Sequence, residues 1–178
     1  MDLRPSDGCP ICRVLREFQS DSLRNLAGTA VRNLCGFHVW SVAAATDLTT
    51  AAAIFLRLLE KSRLGEGSDE SCDLCAKLAL VETQKLQEMS NGLAKPEFRK
   101  WLRESGAVCL PHSQKLLSCA PEALREDIVA ATKRREEDLG LRLRELLQKA
   151  KAGIPARGGL LGRVAEFLVA QRGLGRDS

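Results

Sequence analysis

The chain has 178 residues, of which 44% are hydrophobic and 28% charged, a size that suits one globular domain or two small modules. Its net charge of +4 comes from 27 basic and 23 acidic side chains that interleave, as in "KRREEDLGLRLRELLQK", so no basic block marks a phosphate-binding face. With no Tyr, two Trp and five Phe it offers few rings on which bases could stack, and a nucleic-acid partner is disfavoured.

The opening "MDLRPSDGCPIC" lacks the apolar core of a signal peptide, and no run approaches the roughly 18 apolar residues that cross a membrane. The most apolar stretch, "VWSVAAATDLTTAAAIFL", carries Asp47 in its middle. These features predict a chain without a membrane span in a reducing cytoplasm, where seven cysteines serve as metal ligands or redox thiols rather than disulfides.

In chain order, "CPIC" at 9–12 leads into a helix-like run, "RVLREFQSDSLRNLA", free of Gly and Pro. "CGFH" at 35–38 opens a short apolar helix that gives way at Asp47, a good N-cap for "LTTAAAIFLRLLEKSR". After the linker "RLGEGSDES", "CDLC" at 72–75 opens a second long run in which Leu74, Leu78, Val81, Leu86 and Met89 share one helical face. An inserted segment, "NGLAKPEFRKWLRESG", precedes "CLPH" at 109–112 and the short run "SQKLLSC". Pro121 stands at a first helical position, and a long helix follows to about Lys151. Its stripe of Leu124, Ile128, Ala131, Leu139 and Leu146 is interrupted by Arg135 and Arg142, so part of it is expected to be shallow or to face a partner. "AGIPARGG" breaks the chain before a small amphipathic helix with Leu160, Val164, Phe167 and Leu168 on one side.

No alternating strand pattern occurs. The expected fold is an all-α helical bundle of two tandem repeats, each running helix, CxxH, short helix, long helix, and each stapled by its own Cys3His site. The corresponding divisions are 1–64, 65–152 and a linker with tail helix at 153–178.

The chemistry lies in the cysteines and histidines. Thiolate and imidazole donors suit zinc, which prefers four ligands in a tetrahedron, and donors three apart on a turn can reach one ion. The CxxC…CxxH pattern occurs twice in the same order and takes up six of the seven cysteines and both histidines. Its order predicts one zinc ion on Cys9, Cys12, Cys35 and His38 and a second on Cys72, Cys75, Cys109 and His112, two per chain. Arg13, Arg32 and Lys77 are near enough in sequence to offset the negative charge of such sites. An iron–sulfur cluster is the alternative, since thiolates bind clusters and His can replace some of them. A dithiol oxidoreductase lacks its strand-to-helix setting, and covalent haem lacks CxxCH. Cys119 reads as a small buried apolar residue, with a sensor thiol as the lesser alternative, and Trp40 and Trp101 read as core or site-covering residues.

The two quartets, with lead-ins such as "SDGCPIC" and "SGAVCLPHSQKLL", resemble a family of small uncharacterised bacterial proteins grouped as a domain of unknown function. Its members are all-helical, with duplicated CxxC…CxxH half-sites, and the resemblance covers roughly residues 7 to 150. It implies zinc binding and carries no assigned reaction. In "RNLCGFHVW" the glycine follows the cysteine instead of preceding it, a departure from the family pattern at the first CxxH.

Outside the quartets no histidine remains as a base, and no Gly-rich phosphate loop or nucleophile elbow is present. The expected function is a zinc-stapled interaction or accessory module. Its partner would be another protein, or a second copy, engaged through the 159–171 tail helix or the 121–151 helix. A zinc-thiolate redox sensor and an iron–sulfur electron-transfer protein are the alternatives.

Overall fold

The computed structural model describes residues 8–26, 34–61, 72–105, 108–153 and 159–169. Among them are eight α-helices and no strand: α1 (Pro10–Asn25), α2 (Gly36–Ala45), α3 (Leu48–Lys61), α4 (Asp73–Gly92), α5 (Pro96–Ser105), α6 (Leu110–Cys119), α7 (Glu122–Lys151) and α8 (Gly159–Val169). The all-α expectation therefore holds. Arg32, all of the "RLGEGSDES" linker and most of "AGIPARGG" lie outside the described residues.

Local sequence accounts for the helix boundaries. Asp47 caps α3 by accepting the Thr50 amide at 2.9 Å and the Thr50 hydroxyl at 2.7 Å. Pro121 stands one residue before α7, whose first turn carries Glu122 and whose last carries Lys149 and Lys151, matching the helix dipole at both ends. That helix closes at Gly153, whose φ of +71° lets its amide turn back to the Ala150 carbonyl at 3.1 Å. The inserted segment of the second half forms a helix that its sequence had not suggested, α5, with Pro96 at its start and Phe98 and Leu102 buried one turn apart.

The chain divides into two compact units, and their order along the sequence is nested. The inner unit is Val14–Thr83, and the outer unit takes the described residues on both sides of it. In the inner unit Leu23 and Leu26, at the end of α1, pack with Val42 of α2, Ala51 and Ile54 of α3, and Cys72 and Leu74. In the outer unit α7 packs against α5, α6 and α8, and α6 packs against α8. Leu116, Ile128 and Leu102 are almost fully buried there. An ion pair ties α5 to α7: Arg99 donates from Nε and Nη2 to Asp127 Oδ2 at 2.8 and 2.7 Å.

The stripe expected on α7 is buried from Leu124 through Leu139 and is shallower at Leu146, where Arg142 turns to Asp138 at 2.9 Å. On α8, Phe167 is buried, Leu160 and Val164 are half-buried, and Leu168, expected beside them, is exposed. The tail helix is thus part of the outer unit's core through Phe167. Trp40 is also corrected: it is 75% exposed, because α2 buries the face of His38, Ser41 and Val42 and turns Phe37 and Trp40 away.

Candidate metal centres

All four half-sites have one local geometry. Cys9, Cys35, Cys72 and Cys109 each stand immediately before a helix, and each carbonyl accepts the first helical hydrogen bond, from Arg13, Val39, Ala76 and Ser113 at 2.8–3.0 Å. The second donor, Cys12, His38, Cys75 or His112, lies in the first turn three residues on. Spacing of three therefore brings two donors together at a helix N-terminus, where unpaired amides and the helix dipole favour thiolate. The two CxxC half-sites are anchored differently from the first CxxH. Ile11 and Leu74, each just before the second cysteine of its pair, are buried, while Phe37, just before His38, is 45% exposed. Gly8, at φ +78°, allows the chain to turn into Cys9.

The eight donors fall into two groups, and the grouping overturns the pairing expected from sequence order. Cys9 and Cys12 meet Cys109 and His112, while Cys35 and His38 meet Cys72 and Cys75. The eight residues brought together are those singled out by sequence, but the half-sites combine first with fourth and second with third. In the inner unit Leu23 and Leu26 pack with Val42 and Leu74, which keeps α2 beside the start of α4, so that Cys35 and His38 meet Cys72 and Cys75.

In the outer quartet His112 Nδ1 lies 3.4, 3.3 and 3.0 Å from the sulfurs of Cys9, Cys12 and Cys109, and the Cys12 and Cys109 sulfurs are 3.6 Å apart. In the inner quartet His38 Nδ1 lies 3.3, 3.2 and 3.4 Å from Cys35, Cys72 and Cys75, and the Cys35 and Cys75 sulfurs are 3.7 Å apart. Within each quartet every donor lies within 4.8 Å of the others, which is the arrangement of a candidate metal site. Both imidazoles present Nδ1, and each sits on the buried face of its helix one turn before Val42 or Leu116.

The metal-free electrostatics differ between the two. In the outer quartet, contacts with Cys109 and Cys12 hold Cys9 far below the ordinary thiol range despite burial. Contacts with Cys12 and Cys9, together with burial, push Cys109 far above it. Burial opposes a charged His112, but the Cys12 and Cys9 sulfurs outweigh it and raise the ring to about 10. In the inner quartet burial alone lowers His38, and burial with the Cys72 and Cys35 sulfurs raises Cys75 to about 12. Burial opposes ionisation of Cys72, yet the backbone amides of Cys35 and Cys75 hold it below its usual value.

Of the other residues singled out by sequence, Arg13 is half-buried and Lys77 exposed. Cys119, expected to be buried, is exposed and stands outside both quartets, its thiol directed to the Leu116 carbonyl at 3.5 Å. Phe37 was missed: its ring meets His38 edge-on, with centroids 5.1 Å apart. Its position beside a ligand in "CGFH" was the available signal. No helix among the described residues is long and apolar enough to cross a membrane. No protein-family model matches the chain, and no curated protein or solved structure proves similar to it.

Proposed function

We propose that the chain is a zinc-binding helical module, in which two Cys3His sites fasten an all-α scaffold that works by contact with another protein. The observation that carries this reading is the convergence of four donors, from two helix N-termini, on a point small enough for one ion. Zinc bond lengths of about 2.3 Å to sulfur and 2.0–2.1 Å to nitrogen give tetrahedral edges of about 3.8 Å between sulfurs and about 3.6 Å from sulfur to nitrogen. The sulfur pairs at 3.6 and 3.7 Å come close to the first value, and the nitrogen–sulfur distances of 3.0–3.4 Å are slightly tighter than the second.

A polynuclear iron–sulfur cluster attaches its protein donors to different irons, with the inorganic core between them, so donors this closely gathered favour the single ion. Four protein donors also leave no open position on which zinc could activate water, which supports a structural role over a hydrolytic one.

A contact role draws support from the surface. Trp40, Leu48, Leu56 and Leu59 on α2 and α3 are 60–86% exposed, and Trp is the residue type most enriched where interfaces concentrate their energy. Leu161 and Val169 extend apolar exposure to α8. A reducing cytoplasm and membership of the duplicated CxxC…CxxH family belong to the same proposal, and both rest on the quartets.

Elemental analysis of protein purified without added metal and without air tests the reading. Colourless protein with about two zinc equivalents is expected. Brown protein carrying iron and acid-labile sulfide would replace it with the electron-transfer reading.

A further inference from the structure

The two quartets differ in accessibility. All four outer donors are buried, whereas in the inner quartet Cys75 is exposed and Cys35 half-buried. The exposed sulfur has a second one beside it, since Cys35 Sγ lies 3.7 Å from Cys75 Sγ.

The two imidazoles differ in support as well. His38 turns Nδ1 to the sulfurs, and its Nε2 is buried without a hydrogen-bond partner among the described residues. Phe37 packs edge-on against the ring and offers no acceptor. A ligating histidine ordinarily donates its second N–H to an acceptor, and losing that partner typically weakens metal binding about 10- to 100-fold. His112 is not orphaned in this way and makes a further interaction of its own.

We propose that the outer quartet is a permanent fastening and that the inner quartet is a peroxide-reactive zinc site, which opens at Cys75 and ends as a Cys35–Cys75 disulfide. This rests on the zinc reading above. Coordination keeps Cys75 as thiolate, and an accessible thiolate beside a second sulfur is the arrangement of redox-responsive thiols.

In the first step the Cys75 sulfur attacks one oxygen of hydrogen peroxide and the O–O bond breaks. Cys75 becomes a sulfenic acid, and the departing hydroxide takes a proton to become water. The Cys35 sulfur then attacks the Cys75 sulfur, the S–O bond breaks, and the second oxygen also leaves as water after taking a proton. Two thiolates, one peroxide and two protons thus give one disulfide and two waters, the two electrons lost by sulfur being gained by peroxide. With both of those sulfurs in the disulfide, only Cys72 and His38 would remain to hold the ion, which would free the N-terminus of α2, the helix that exposes Phe37 and Trp40.

The test treats the full zinc-loaded chain with hydrogen peroxide beside a colorimetric zinc chelator, then maps peptides by mass without reduction. One of the two zinc equivalents should leave about tenfold faster than the other or more, in step with a disulfide joining the Cys35 and Cys75 peptides. Cys9, Cys12 and Cys109 should stay unmodified in that phase. Simultaneous loss of both ions, earlier loss from the outer quartet, a disulfide mapped to another pair, or retention of both ions after exposed Cys119 has been oxidised would each overturn the proposal. Metal content measured beforehand separates the two readings: absence of zinc removes the zinc assignment, whereas two zinc ions lost together remove only the asymmetry.

Discussion

The sulfur atoms of Cys12 and Cys109 lie 3.6 Å apart although 97 positions separate them in the chain. Cys35 and Cys75, 40 positions apart, meet inside that span at 3.7 Å. One closure is thus enclosed in the other. An ion bridging either pair restricts the unfolded chain as a cross-link does, and the restriction grows slowly with the length of loop closed.

The nested pairing has a direct spectroscopic test. In cadmium-113-substituted protein, Cys9, Cys12, Cys109 and His112 should couple to one metal resonance and Cys35, His38, Cys72 and Cys75 to the other. Consistently, Cys12→Ser and His112→Ala should remove the same metal equivalent, and combining them should add little, because two changes in one site do not act independently. Coupling of Cys12 and Cys35 to a shared resonance would restore the sequential pairing.

Ligand and non-ligand cysteines should separate sharply in stability. A structural zinc ion contributes on the order of 10 kcal/mol to the folding of a small domain, so His112→Ala should lower stability by several kcal/mol and remove one metal equivalent. Cys119 is exposed and has only the 3.5 Å contact to the Leu116 carbonyl, so Cys119→Ser should stay within about 0.5 kcal/mol of wild type. Chemical denaturation with metal quantified in parallel measures both. A His112→Ala protein that unfolds like wild type would refute the assignment.

The four half-sites were legible in the sequence because a helix N-terminus puts positions i and i+3 together wherever it occurs, so each CxxC or CxxH declares its own geometry. The partition was not legible. Joining Cys9 and Cys12 to His38 or to His112 gives Cys3His either way, and only the packing of Leu23 and Leu26 with Val42 and Leu74 decides between them. Periodicity revealed α4 and α7 but says nothing of which apolar stripe is covered, which is why Trp40 and Cys119 were expected inside and stand outside. In α5 the buried Phe98 and Leu102 are the helical signal, which the inserted glycines and lysines around them obscured.

The tail helix should prove necessary to the outer unit. Its sequence suggests a helix that faces a partner, and completing a core is the alternative use of its apolar side. Burial of Phe167 to 6% exposure and the packing of α8 on α6 and α7 favour that alternative. Phe167→Ala should cost about 3–5 kcal/mol, the usual range for a buried phenylalanine, while Leu168→Ala, at an exposed position, should cost little. Urea denaturation of the two variants checks this. Equal midpoints would return the helix to a purely external role.

Zinc binding should release protons and strengthen as pH rises, most clearly at the outer quartet. Thiolates and a neutral imidazole are the ligating forms. In the metal-free outer site His112 is raised to about 10 by the Cys12 and Cys9 sulfurs against the effect of burial, and the Cys109 thiol is raised well above its usual value. A raised value means that the proton is still bound at pH 7, so zinc must displace it, and each proton displaced makes binding about 1.4 kcal/mol more favourable per pH unit. Affinity should therefore climb from pH 6 through pH 9. The inner imidazole behaves oppositely: burial lowers His38, so it is already neutral at pH 7 and gives up no proton there, although Cys75, raised to about 12, still does. Calorimetry in buffers of different ionisation enthalpy, on variants with one quartet disabled at a time, counts the protons directly. Protons should leave both sites, with the imidazole contributing one only at the outer, and an affinity independent of pH would show that these groups are not held in those states before the metal arrives.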